Sequence, residues 1–191
     1  MKTFNKTALI LLVLFLSIGC DQVTKAVAKE HLSASPRLSF LGDVFRLEYT
    51  ENTGAFLGLG SALPESVRFG ALVVVVGGVL AALLWFVWTS QELTPLSTLS
   101  GSLVAGGGLS NLITRIAHGG AVVDFMNLGI GRLRTGVFNV ADLAIMVGGG
   151  LLLLGSGIFE KPREEGPAEQ VGQSAGLSCS ASGASENDEQ E

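Results

Sequence analysis

Apolar residues fall along this chain in long runs, not in the short periodic patterns of a soluble domain. Three stretches approach the roughly 20 apolar residues that a helix needs to cross a bilayer: Phe69 to Trp88, Leu93 to Thr114 and Leu143 to Phe159. The first holds no charge and closes on Trp85 and Trp88, side chains suited to a membrane interface. The second is less oily, yet Ser102, Gly106 and Ser110 recur at i, i+4 among Leu, Val and Ile. That small-residue spacing lets helices approach closely in lipid.

The N-terminal run is shorter. Lys2 and Lys6 precede Ala8 to Cys20, a length that suits a signal-peptide core, and the residues ending at Cys20 superficially resemble a lipidation and cleavage signal. Two features oppose cleavage: Ser17 stands where such a signal has Leu, and three more hydrophobic segments follow. A helix continuing through Asp21 to Ala28 supplies the missing length, making this the first of four spans.

Between the first two spans, Phe45, Leu47 and Tyr49 alternate with Arg46, Glu48 and Thr50, the period of a half-buried strand. With Arg37 to Leu41 before it and a Gly42-Asp43 turn between, a small hairpin or curled sheet is expected on the membrane surface. From Lys161 the chain turns to Pro, Gly, Ser and acidic residues, which cannot bury a core. The expected fold is therefore an all-α membrane protein. It has four transmembrane helices at about 7–28, 68–88, 94–116 and 138–159, a β-rich extracytoplasmic insertion at about 36–60, and a disordered cytoplasmic tail over 162–191.

Composition agrees. Hydrophobic residues make up 48% of the 191 and charged residues 15%, against about a quarter charged in ordinary soluble domains. The net charge of -5 comes largely from the tail, and no run of Lys or Arg suggests nucleic acid. Cys20 and Cys179 lie in unlike segments, which argues against a disulfide framework. Lys2 and Lys6 at one end, and Lys161 and Arg163 at the other, favour cytoplasmic termini. Two features run against this orientation: the loop Thr89 to Thr94 has Glu92 and no basic residue, and Arg132 and Arg134 fall on the outer side.

Ionisable residues at membrane depth are costly, so each is a functional candidate. Asp21 and Lys25 follow the first run, Asn111 and Arg115 end the third, Asp124 stands in the last link and Asp142 opens the fourth. That link carries Arg132, Arg134 and several glycines and is no span, so Asp124 and Asp142 belong to one membrane face. Asn139, three residues before Asp142, has N-cap spacing. Two carboxylates in a small dry site share a proton, and such a pair can activate water against an amide. Spacing alone also permits a plain helix-capping Asp142 with Asp124 as an interfacial acid, and leaves open an ion-path protein or a structural adaptor. Arg115 and Lys25 read equally as snorkelling anchors.

Taken together, four local words narrow this. Asp21-Gln22-Val23-Thr24-Lys25, Asn52-Thr53-Gly54-Ala55-Phe56, Ser110 to Arg115 running on to Val122-Val123-Asp124-Phe125, and Phe138-Asn139-Val140-Ala141-Asp142 resemble the ordered motifs of bacterial lipoprotein signal peptidases (signal peptidase II). The resemblance covers Lys2 to Lys161. It implies an intramembrane aspartic peptidase of the bacterial cytoplasmic membrane, cutting prolipoproteins before the diacylglyceryl-modified cysteine. By position, Asp124 and Asp142 would be the catalytic dyad. Asn52, Gly54, Asn111, Arg115, Asn139 and Ala141 would shape the cleft, and Asp21 and Lys25 would support its entrance. It further implies inhibition by globomycin-type cyclic peptides, a monomer acting in lipid, and no metal or organic cofactor; His31 and His118 stand alone, without ligand spacing. Two positions depart from the family pattern: Thr114 where an acid is often found, and Ser110 where glycine is usual. Neither is expected to touch the dyad, and both bear on the polar surroundings of Arg115.

Overall fold

The computed structural model describes residues 3–34, 36–54 and 64–155. The chain divides into one unit of Met1–Phe159 and another of Glu160–Glu191. The second unit lies outside the described residues, as do Ala55 and Phe56, the end of the fourth expected span, Lys161, Arg163 and Cys179.

Among the described residues there are four helices: α1 (Thr3–Leu32), α2 (Glu65–Thr89), α3 (Pro95–Ala117) and α4 (Val140–Gly155). Four strands accompany them: β1 (Leu38–Phe40), β2 (Phe45–Asn52), β3 (Val122–Ile130) and β4 (Leu133–Arg134). The short N-terminal run does continue as helix past Asp21. Among the described residues only α1, from Asn5 to Leu32, is by itself long and apolar enough to cross a membrane; the apolar parts of α2 (Val73–Thr89) and α4 are shorter.

Helix α3 is the hub, with α1, α2 and α4 each packed on it and α1 also touching α4. Its small residues make this possible. Thr98, Ser100 and Ser102 turn their hydroxyls back to the carbonyls of Thr94, Leu96 and Thr98 at 2.9, 2.7 and 2.7 Å, so they can be buried without other partners. Thr94 caps the helix by accepting from the Ser97 amide at 3.1 Å, with Pro95 opening the first turn. A side chain at Gly107 would collide with the Ala141 carbonyl of α4, and one at Gly106 with Ser17 of α1.

The sheet is antiparallel throughout, in the order β1-β2-β3-β4. Leu38 pairs with Leu47 and Phe40 with Phe45 across the expected hairpin, whose turn runs Leu41, Gly42, Asp43 at φ 54, 64 and 72°. Arg46 and Ser39 hold the Asp43 carboxylate at that turn and pull its pKa far below the usual range.

Strand β3 was not anticipated. The link before α4 is a strand from Val122 to Ile130, pairing Asn52 with Val122 and Thr50 with Asp124. Phe125 packs with Ala28 and Leu32 of α1, and Leu47, Tyr49, Met126 and Val140 gather around them. That cluster seats the sheet on one end of the helices. It places Asp124 beside the start of α4.

Candidate active site

Each of the two acids is set by its own element. Asp142 lies in the first turn of α4, where its Oδ2 accepts from the Asn139 amide at 3.1 Å and its own amide donates to Asn139 Oδ1 at 2.9 Å. This reciprocal cap fixes the helix start and aims the carboxylate at once. Asp124 projects from β3 between buried Val123 and Phe125 and is 2% exposed. Burial, with the neighbouring charge of Asp142 adding to it, pushes its pKa up to about 6, although Asn52 and Asn139 stabilise the ionised form.

Amide side chains join the acids. Asn139 Nδ2 donates to Asp124 Oδ1 at 2.6 Å and to Asn111 Oδ1 at 3.1 Å, while Asn111 Nδ2 donates to Asp142 Oδ1 at 2.9 Å. Asn52 Nδ2 donates to Asp124 Oδ2 at 3.0 Å, and the buried Gly54 amide donates to Asn52 Oδ1 at 3.0 Å, fixing which end of that amide faces the acid. The two carboxylates thus belong to one hydrogen-bonded network built from β2, β3, α3 and α4.

Behind them lies a second, buried layer. Lys25 Nζ meets Asp21 Oδ2 at 2.6 Å and Asn111 Oδ1 at 2.8 Å. Asp21, with no exposed surface, also accepts from the Ala141 amide at 2.9 Å and from Ser110 Oγ at 2.7 Å. Asp21 and Lys25 are therefore buried groups tying α1 to α3 and to the start of α4. Arg115 Nη1 donates to the Gly120 carbonyl at 3.0 Å, in the turn that leads to β3.

Gln22 had no role assigned from the sequence, and Ser110 and Thr114 were linked there only to the surroundings of Arg115. Gln22 Nε2 donates to Ser110 Oγ at 2.8 Å and to Thr114 Oγ1 at 3.0 Å, and Lys25 Nζ reaches Thr114 Oγ1 at 3.3 Å. Ser110 and Thr114 are the two departures from the family pattern, and their partners are Gln22, Asp21 and Lys25. The signal was available: Gln22 lies one residue from Asp21, and Ser110 and Thr114 lie at i, i+4 on the α3 face that carries the small-residue stripe.

A family profile described as Signal peptidase (SPase) II matches residues 13–158. The chain belongs to the signal peptidase II family. It is 37% identical over 144 residues to a lipoprotein signal peptidase of Chlorobaculum parvum, covering 71% of this chain and 86% of that one. It is 34% identical over 146 residues to another from Halothermothrix orenii, covering 76% and 93%. Two structures of a bacterial membrane enzyme solved by the in meso method share the fold. One has a TM-score of 0.68 at 22% identity, covering 82% of this chain and 93% of its own. The other has 0.67 at 23% identity, covering 80% and 94%. Membership makes the chain a membrane-located peptidase of the signal peptidase II type, whose substrates are lipoprotein precursors.

Proposed function

We propose that the chain crosses the bacterial cytoplasmic membrane four times, with both termini inside, and cleaves prolipoproteins just before the diacylglyceryl-modified cysteine using Asp124 and Asp142. In this reading residues 1–161 form the peptidase body and 162–191 a cytoplasmic tail. The observation that carries it is the amide network in which Asn139 and Asn111 join the two carboxylates in one site.

Two carboxylates held together in such a site share one proton. The ionised carboxylate takes a proton from water as the water oxygen attacks the scissile carbonyl. The protonated carboxyl gives its proton toward the carbonyl oxygen. Collapse of the tetrahedral species breaks the C–N bond: the amide nitrogen of the lipidated cysteine leaves with the proton first taken from water, and one hydroxyl proton of the gem-diol returns to the carboxylate that had given its own, restoring the shared proton. Asn52, Gly54, Asn139 and Ala141 keep the acids and the backbone around them in place. Asn111 and Arg115 stand where an extended peptide would reach the acids, with the planar donor fork of Arg115 suited to carbonyls. Lipid holds the diacylglyceryl chains at the level of the site, and globomycin-type cyclic peptides would occupy the same acids.

The test is cleavage of one precursor with and without its diacylglyceryl group, with the product identified by mass. The lipidated form should be cut before the modified cysteine and the unlipidated form at least about tenfold more slowly, because anchoring supplies the local concentration of the scissile bond. Equal turnover, or a cut elsewhere, contradicts the reading.

A further inference from the structure

Resting on that reading, we propose that Gln22, Ser110 and Thr114 are positioning residues for the reaction: they hold the Lys25 ammonium against Asn111 and so fix which end of that amide faces Asp142. Ser110 and Thr114 are buried on α3, and Gln22 is half-buried on α1 beside Asp21. Their hold on Asp142 passes through Lys25 and Asn111.

The directions of the bonds follow from counting hydrogens. A buried ammonium carries three donors and must find an acceptor for each. Lys25 Nζ has Asp21 Oδ2 at 2.6 Å, Asn111 Oδ1 at 2.8 Å and Thr114 Oγ1 at 3.3 Å. Thr114 commits its one hydrogen to the Ser110 carbonyl at 3.0 Å, one turn back along α3, so toward Lys25 its oxygen can only accept. Ser110 commits its own hydrogen to the Asp21 carboxylate at 2.7 Å, so its oxygen too can only accept. Gln22 faces both hydroxyls and must therefore turn Nε2 to them. It lies 2.8 Å from Ser110 Oγ and 3.0 Å from Thr114 Oγ1, with the Ser110 carbonyl at 3.2 Å.

Each link of the resulting chain has one sense. Gln22 and Lys25 both donate to Thr114, Lys25 donates to Asn111, and Asn111 donates to Asp142 at 2.9 Å. Asp21 lies one turn before Lys25 on the same helix and draws the ammonium toward α1. Asn111 and Thr114, at i, i+3 on one face of α3, hold it the other way. Without the Thr114 hydroxyl one N–H of the ammonium goes unpaired, and the charge relaxes toward Asp21. Asn111 Oδ1 then keeps Asn139 Nδ2, at 3.1 Å, as its donor, and loses the cation that stops the amide from turning over. Turned, the amide sets its oxygen against the Asp142 carboxylate, where neither group can donate to the other.

Thr114→Val removes the hydroxyl at nearly constant shape, and Thr114→Ser keeps it. On a lipidated precursor Thr114→Val should lower kcat at least about tenfold, as loss of one hydrogen bond to a charged group does, with KM unchanged, while Thr114→Ser stays close to the parent. A second readout is the Asn111 side-chain amide signal in protein labelled with heavy nitrogen in its asparagines, assigned by its loss in Asn111→Asp. That signal should move in Thr114→Val and hold its place in Thr114→Ser. Should Thr114→Val fail to fold, Gln22→Met breaks the same chain from a half-buried position, and it should lower kcat and move the same signal. Side chains that merely tie α1 to α3 would, when replaced, lower the melting temperature and leave kcat and the Asn111 signal at their parent values. That outcome overturns the proposal, as does a loss confined to KM or an equal loss in Thr114→Ser. Failure of the dyad reading shows separately, as full activity in Asp142→Asn while the Asn111 signal still responds to Thr114→Val.

Discussion

Asn111 illustrates how single side chains are made directional. A free amide can turn either end toward an acid, but here its Oδ1 accepts from Lys25 and Asn139, which leaves Nδ2 for Asp142. Lys25 thereby acts on Asp142 through an amide it orients. Lys25→Met removes that control and strips the buried Asp21 of its cation, a change that typically costs about 3–5 kcal/mol. A thermal melt should show a large drop, part of which returns in Asp21→Asn/Lys25→Met; a Lys25→Met protein as stable as the parent would contradict the buried pairing. At Asp124 the raised pKa has a definite sign. At pH 5 an ordinary aspartate, with its value of about 3.9, is ionised, whereas Asp124, at about 6, still holds its proton. Infrared difference spectra should show a protonated carboxyl band at pH 5 that fades above about 6 and is missing in Asp124→Asn. A band that vanishes by pH 4 would show that burial does not hold the proton there.

At the scale of elements, the helices stand where near-backbone contact allows them. A Cβ at Gly148 would sit 2.7 Å from the Ser100 carbonyl oxygen, whereas Gly150 has no described atom within 4 Å of its own. Gly148→Leu should therefore lose about 1–3 kcal/mol or more, the usual cost of overpacking, while Gly150→Leu stays close to the parent in a detergent melt. Equal stabilities would mean that α3 and α4 are not so closely apposed. These helices were legible because Phe69 to Trp88 and Leu143 onward are unbroken apolar runs. Strand β2 was legible because Phe45, Leu47 and Tyr49 alternate with polar neighbours. Strand β3 was not: Val122, Val123, Asp124 and Phe125 are all buried, so no side of the strand faces water to impose a period of two. The buried roles of Gln22, Ser110 and Thr114 were hidden for a related reason, since each is a common helix-surface residue until α1 and α3 are brought together.

For the whole molecule, the loop between α2 and α3 lacks its own basic residue, yet Lys6 of α1 is buried against it. Its Nζ donates to the carbonyls of Trp88, at 3.3 Å, and of Ser90. A cation at the C-terminal end of α2 is favourable to that helix, and it places a lysine on the side assigned to the cytoplasm. A reporter fused after Lys161 should accordingly read cytoplasmic, and one in the turn at Gly131 should read external; swapped signals would invert the topology. The acids themselves emerged in the sequence as residues at membrane depth on one face. What the fold added is the strand that carries Asp124 to the head of α4 and the amides that bind it to Asp142. The most direct measurement is the initial rate of cleavage of a lipidated prolipoprotein in detergent by the parent, Asp124→Asn and Asp142→Asn, each confirmed folded by its melt, with globomycin as the inhibition control. Each substitution should lower the rate at least about 100-fold, the lower end of what a positioned acid or base contributes; full activity in either variant would contradict the dyad.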